Sequence, residues 1–204
     1  MVRTTKENPV ASRSDVRARM VSAGEDLLSQ RGYGVTMLDV IERAEAPRGS
    51  IYYHFPNGKL ELAIEVAEKV RREVDELVSY HSRKIAEPVA FLQKLVDHHR
   101  KRLVNSGYEL GCPLMGIITS GDVESPELQA AIDGAFAAWI GAIGRELATK
   151  GLTEAQANQL AALLVSGVEG CIVVARAKQS NAPFAEFSKS IPLLVAGVLA
   201  ADAA

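Results

Sequence analysis

The chain has 204 residues, 48% of them hydrophobic and 24% charged, with a formal net charge of −2. Length and apolar content indicate a folded protein able to bury a small and a larger core, and they exclude a disordered tail. The overall charge excludes a uniformly basic nucleic-acid coat, yet it is uneven: residues 1–59 hold 9 Lys+Arg against 7 Asp+Glu, and residues 60–204 hold 14 against 18.

Val16, Met20, Ala23 and Leu27 recur at the spacing of one helical face, and Gly32 marks a stop. Residues 1–20 carry five basic against two acidic side chains, where a phosphate-contacting arm would lie. Thr36 then suits an N-cap, with Val40, Ile41 and Ala44 as the apolar stripe of a short helix. Glu45-Ala46 supplies a turn, and Pro47 fits the first position of a second helix. In that helix Ile51 and Phe55, four residues apart, face inward, leaving Arg48, Gly49, Ser50, Tyr52, Tyr53 and His54 outside. Two short helices joined by a tight turn and ending in a polar, aromatic surface suit a helix-turn-helix, whose second helix enters the DNA major groove.

Downstream, every long segment reads as helix. Residues 59–83 form a long connecting helix with Ala63, Val66, Val70, Val74 and Leu77 on its buried side. Pro88 opens the next, through Phe91, Leu95 and Leu103, and the Gly- and Pro-rich stretch 106–121 leaves room for a short helix only. Ser125-Pro126 begins another, ending by Gly151, and Thr153 with Gln156 forms a capping box for a helix reaching Lys178. Asn181 and Pro183 begin the last, where Pro192 predicts a kink or break. No strand pattern competes and no repeat appears. The N-terminus is polar, and the apolar runs 160–165 and 193–201 read as too short or interrupted to span a bilayer, so a soluble cytoplasmic protein is expected.

The segment Arg48-Gly49-Ser50-Ile51-Tyr52-Tyr53-His54-Phe55-Pro56, with Thr36, the helix at 41–44 and Lys59, resembles the TetR family of transcriptional regulators. Two departures stand out. Many members have Gly where this chain has Glu45, and the family commonly passes from His-Phe-Pro through one small residue to Lys, whereas Asn57-Gly58 intervene here. The form HFPNGK and the later Cys-Pro-Leu-Met-Gly at 112–116 are similar to the subgroup containing the LmrA and YxaF repressors. The resemblance implies an all-α protein: a three-helix DNA-binding domain over residues 1–58 and a larger ligand-binding and dimerisation domain over 59–204. It implies a homodimeric repressor that leaves a near-palindromic duplex operator when a small hydrophobic effector binds, without cofactor, metal or membrane.

Within the head, Arg48 is the candidate for reading guanine N7 and O6, and Gly49 allows close backbone approach to the bases. Ser50 and Tyr52 are candidates for bases or phosphates. Tyr53, His54, Thr36 and Lys59 resemble the family's phosphate-contacting positions. Each has a plainer alternative: the tyrosines partly packed in the head, His54 a helix cap, Lys59 a solvated charge.

The candidate pocket lining is Phe91, Leu95, His98, Met115, Phe136, Trp139 and Cys171, apolar and aromatic with few hydrogen-bonding groups. Two helix faces are unusually apolar: Leu160, Leu163, Leu164, Gly167, Val168, Cys171 and Ala175, and then Leu194, Val195, Val198 and Leu199. A two-fold four-helix interface would cover them, with closure of the protomer's own core as the plainer reading.

Catalytic motifs are missing: no Gly-x-Ser-x-Gly, no phosphate loop, no His-Glu-x-x-His. Cys112 with His98 as a thiol nucleophile lacks an orienting acid, a metal sensor built on His98, His99 and Cys112 lacks ligand spacing, and neither Cys112 nor Cys171 has an evident thiolate-stabilising setting. The alternative from another class is a helical ligand carrier or enzyme whose helix-turn-helix is vestigial.

Overall fold

A computed structural model of the chain describes residues 13–121 and 125–201, so the basic residues expected before Arg13 lie outside the described residues. Among the described residues there are α-helices and 3₁₀ turns and no strand. The helices are α1 (Arg13–Arg31), α2 (Met37–Ala44), α3 (Ile51–His54), α4 (Gly58–Ser82), α5 (Pro88–Asn105), α6 (Pro113–Ile118), α7 (Pro126–Thr149), α8 (Glu154–Lys178) and α9 (Ala182–Ala201).

Helix starts follow local chemistry. Thr153 accepts from the Gln156 amide at 3.3 Å while Gln156 Oε1 accepts from the Thr153 amide at 2.9 Å, satisfying two orphan donors at the head of α8. Ser125 caps α7 ahead of Pro126, and Pro88 and Pro113 stand in the first turns of α5 and α6. Helix α9 runs through Pro192 without the expected break. A proline there leaves the Ser188 carbonyl without its helical donor, and Gln93 Nε2 from α5 supplies one at 3.0 Å.

One apolar core runs from Met20 to Val198, with α4 packed on α7, α7 on α8 and α8 on α9. Helix α6 is wedged against α1, and the approach is too close for side chains. A Cβ on Gly116 would stand 2.1 Å from the Leu28 carbonyl oxygen, and one on Gly32 would stand 2.6 Å from the Gly116 oxygen. Tyr33 N donates to Ser120 Oγ at 2.7 Å across the same junction, and Arg176 of α8 donates to the Ser29 and Gln30 carbonyls at 3.2 and 3.3 Å. The helices carrying the turn motif are thereby tied to the body.

The structure redraws the two apolar faces. Leu160, Leu164, Val168, Cys171 and Ala175 are buried inside the protomer, as are Val195 and Val198. The side chains left outside are Leu163, Val173 and Val174 on α8, and Leu193 (76% exposed) and Leu199 on α9. Because α8 is apolar around most of its circumference, its inner face closes this core and a second stripe remains. By length and composition α8 and α9 are long and apolar enough to cross a membrane, contrary to the expectation from the short apolar runs, but half of the relevant α8 window is buried in the fold.

Candidate nucleic-acid interface and interior cavity

Thr36 caps α2 in a full capping box. The Asp39 amide donates to Thr36 Oγ1 at 3.2 Å, the Thr36 amide donates to Asp39 Oδ2 at 2.8 Å, and the Thr36 hydroxyl donates to the same oxygen at 2.5 Å. These bonds, with Arg31 beside them, hold the Asp39 carboxyl below the usual carboxylate range. The Thr36 hydroxyl is therefore committed first to the helix start.

At the other end, Glu45 takes φ 50° and ψ 43°, the left-handed conformation that the family meets with glycine. Its amide donates to the Glu42 oxygen and that of Ala46 to the Ile41 oxygen, at 3.3 and 3.1 Å. This is a Schellman closure, which turns the chain sharply without an intervening loop.

The second element is shorter and tighter than a single helix from Pro47. Pro47 is extended (φ −61°, ψ 135°) and precedes a 3₁₀ turn, Arg48–Ser50, that runs into α3. Ser50 closes this turn: its amide and hydroxyl both donate to the Pro47 oxygen, at 2.9 and 2.6 Å.

Behind it, Ile51 and Phe55 are buried, and the Arg17 guanidinium lies 4.8 Å from the Phe55 ring centroid. Arg17 in turn pairs with Glu61 at 3.5 Å and with Glu65. In front, Arg48 and Gly49 are exposed, and no atom beyond the immediate chain stands within 4 Å of where a Gly49 Cβ would be. Tyr52 is 80% and Tyr53 61% exposed, in a protein whose other large side chains are mostly buried. The Tyr53 ring meets that of half-buried His54 edge-on at 5.0 Å.

Lys59 departs from a free solvated charge. Its ammonium donates to the Tyr33 carbonyl at 2.7 Å and sits 4.1 Å from that ring's centroid, pinning the start of α4 to the 3₁₀ turn Gly32–Gly34 that follows α1. Arg48, Gly49, Ser50, Tyr52, Tyr53 and His54 thus share one short surface, with Thr36 and Lys59 serving the scaffold beside it. Leu38, 57% exposed in the first turn of α2, is a further apolar side chain at the surface that the sequence reading left out.

A second feature lies in the body: a cavity of about 840 Å³ between α1, α4, α5, the 110–113 turn, α7 and α8. Of the seven residues nominated for a pocket, His98 and Trp139 line it. Phe91 and Leu95 lie nearer the start of α5, in closed core, and Met115 and Phe136 are half-buried against that core. The Cys171 thiol donates to the Pro183 carbonyl at 3.5 Å instead. The cavity reaches only the C-terminal half of α5, which is why its apolar first half does not contribute.

The lining is more charged than expected. Glu25 of α1, itself buried, receives Lys69 from α4 and Arg102 from α5, each at 2.5 Å. Lys69 also reaches Glu73 at 2.6 Å. His99 is half-buried, its ring 5.0 Å from Trp139 and 5.4 Å from His98, and its Nε2 is shut off from solvent with no hydrogen-bond partner among the described residues. Desolvation first, then the positive fields of His98 and Arg102, push it down to about 3, so it is neutral.

Glu169 of α8 is 7% exposed, and among the described residues no donor reaches either carboxylate oxygen with hydrogen-bond geometry. Burial raises it to about 7, only partly opposed by the nearby Cys112 thiol and Arg102. Burial, with the Glu169 charge added, holds the Cys112 thiol well above its ordinary value, the reverse of an activated nucleophile. Among the described residues no group of three or more His, Cys, Asp or Glu is placed to hold a metal. Glu25 and Glu169 escaped the sequence reading, which had His99 beside His98 but not among the residues nominated for the pocket. The available signal was a lone acid inside the apolar run of α8, Val168-Glu169-Gly170-Cys171.

Residues 20–66 match the sequence model of the bacterial regulatory proteins of the tetR family, and residues 88–190 match that of the LmrA/YxaF-like C-terminal domain of transcriptional regulators. The chain is 29% identical over 187 residues to the uncharacterised HTH-type transcriptional regulator YxaF of Bacillus subtilis, covering 91% of this chain and 98% of that one. It is 25% identical over 185 residues to the HTH-type transcriptional regulator LmrA of the same organism, covering 90% and 98%. Among solved structures, a TetR transcriptional regulator from Legionella pneumophila superposes with a TM-score of 0.79 at 20% identity, over 91% of this chain and 98% of that one.

Proposed function

We propose a repressor mechanism on the premise that this chain belongs to the TetR family of bacterial transcriptional regulators, with a C-terminal domain of the LmrA/YxaF-like type. Residues 1–58 form the DNA-reading head and residues 59–204 the effector-binding and dimerisation unit. The observation that carries this reading is the outward-facing surface at Arg48, Gly49 and Tyr52, backed by buried Ile51 and Phe55.

Arg48 reads a guanine edge in the major groove, Gly49 lets the backbone approach, and Tyr52 contacts bases or phosphates. Tyr53 and His54 flank the sugar-phosphate backbone. The Ser50 hydroxyl, already donating to Pro47, retains lone pairs, and Lys59 and Thr36 offer what their scaffold bonds leave free. Two copies of the chain meet through the exposed stripe of α8 and α9, setting the heads on successive turns of a near-palindromic site, roughly 34–36 Å apart. A small molecule in the cavity favours the DNA-free arrangement, because α1 and α4 both line that cavity and both belong to or support the head. The protein works in the cytoplasm, where its operator is.

Sequencing duplex fragments retained by the purified protein, followed by gel shifts on the recovered site, tests the reading. Arg48→Ala should weaken specific binding by about 1–3 kcal/mol, roughly ten- to a hundredfold, with secondary structure and oligomeric state unchanged. No enriched site, or indifference to Arg48→Ala, would instead fit a helical carrier that kept the motif as scaffold.

A further inference from the structure

We infer that the interior cavity selects an organic cation, a protonated amine on an apolar or aromatic body, whose ammonium meets the Glu169 carboxylate; the inference rests on the effector reading above. Glu169 lines the cavity from α8, buried, with both oxygens unpartnered. A carboxylate taken out of water needs a countercharge or several donors, and among the described residues this one has no ion pair and no well-formed hydrogen bond, only the Cys112 thiol and the Arg102 charge nearby.

Two of the cavity's three described cations are already committed, and the third, Arg83, stands at the C-cap of α4. Lys69 sits between Glu25 and Glu73, and the Arg102 guanidinium reaches Glu25 at 2.5 Å. Among the described residues the lining holds five carboxylates against three cations, Lys69, Arg83 and Arg102. Glu169 is thus the one deeply buried acid in the lining with an open acceptor and no ion-pair partner among the described residues.

The aromatic wall agrees with the charge. The Trp139 and His99 rings, 5.0 Å apart and tilted by 39°, both line the cavity, and an indole face attracts cations. His99 is held neutral by its burial and does not repel one. A bound ammonium donates charge-assisted hydrogen bonds to Glu169 and supplies the missing countercharge. A neutral alcohol supplies only the hydrogen bond, and an anion meets an uncompensated carboxylate.

Three probes sharing one body separate these cases: 4-tert-butylbenzylammonium, 4-tert-butylbenzyl alcohol and 4-tert-butylbenzoate. Each is titrated into the full-length protein and followed by fluorescence of Trp139, the single tryptophan, which lines the cavity. The ammonium should bind about tenfold more tightly than the alcohol, and the benzoate most weakly. Glu169→Gln should bring the ammonium down to the alcohol's affinity and leave the alcohol within about twofold.

The inference is overturned if the alcohol or benzoate binds as tightly as the ammonium, if Glu169→Gln leaves the ammonium unaffected, or if no probe gives a saturable response up to millimolar concentration. The ranking in the unaltered protein needs no variant, so it decides the matter even if Glu169→Gln folds poorly. Duplex retention is scored on the same preparation. Retained DNA without cation preference removes this inference alone, whereas absence of specific DNA binding removes the regulator reading whatever the cavity holds.

Discussion

Replacing Glu169 with Gln should change how the protein's stability depends on pH. The carboxyl moves from an ordinary 4.5 to about 7 on folding, because burial disfavours its charged form. Its contribution is therefore fully retained below pH 4.5 and lost as pH rises through about 7. At about 1.4 kcal/mol per tenfold change in proton affinity, the loss amounts to about 3 kcal/mol once the carboxylate is fully ionised.

His99 runs in the opposite sense. Lowered from 6.5 to about 3, it favours the fold above pH 6.5 and withdraws that support as pH falls. Between pH 4.5 and 6.5 the two slopes offset each other, and the variant should unmask the histidine. Urea unfolding at fixed protein concentration, followed by the buried Trp139, gives the stability of both proteins from pH 4.5 to 8.5. The difference between variant and parent should grow in the variant's favour by about 3 kcal/mol across that range. A constant offset is expected from the new amide and is immaterial, since only the slope carries the argument. A flat difference, or one that shrinks with rising pH, would refute the assignment of Glu169 as a buried, uncompensated acid.

Other substitutions probe the scaffold. Gly116→Ala places a methyl 2.1 Å from the Leu28 carbonyl, so α6 must part from α1; thermal melts should show a loss of about 1–3 kcal/mol. Glu45→Gly relieves a left-handed non-glycine residue and should stabilise the head by about 0.5–1 kcal/mol, whereas Glu45→Ala should give no gain. Leu193→Glu puts a charge on the most exposed apolar side chain of α9, and sedimentation should report a dimer for the parent and a monomer for the variant. A dimer unchanged by Leu193→Glu would move the interface elsewhere.

Much of the molecule was legible in one dimension because its signals are local. Capping at Thr36 and Thr153, turn placement at Glu45, and the inward pair Ile51 and Phe55 depend on residues within a few positions of each other. Helical periodicity supplied the rest of the element order, and the outward arginine and tyrosines followed once Ile51 and Phe55 had been assigned inward. Pro192 misled, because its tolerance depends on Gln93, 95 residues away from the Ser188 carbonyl that it serves.

The cavity was the larger miss. Apolar and aromatic character suggested Phe91, Leu95, Met115, Phe136 and Cys171, but which face of a helix meets empty space is decided by its neighbours. Glu25, Lys69 and Arg102 come from three helices and become a network only when these pack together. Glu169 looked like one acid in an apolar helix; its burial and lack of a partner exist only in the assembled fold. The sequence by itself determined the helices, their caps and the helix-turn-helix motif, since short-range hydrogen bonding and periodicity set those. Tertiary packing decided the charge of the cavity and which apolar stripe stayed uncovered, because desolvation and ion pairing depend on what distant segments bring into contact.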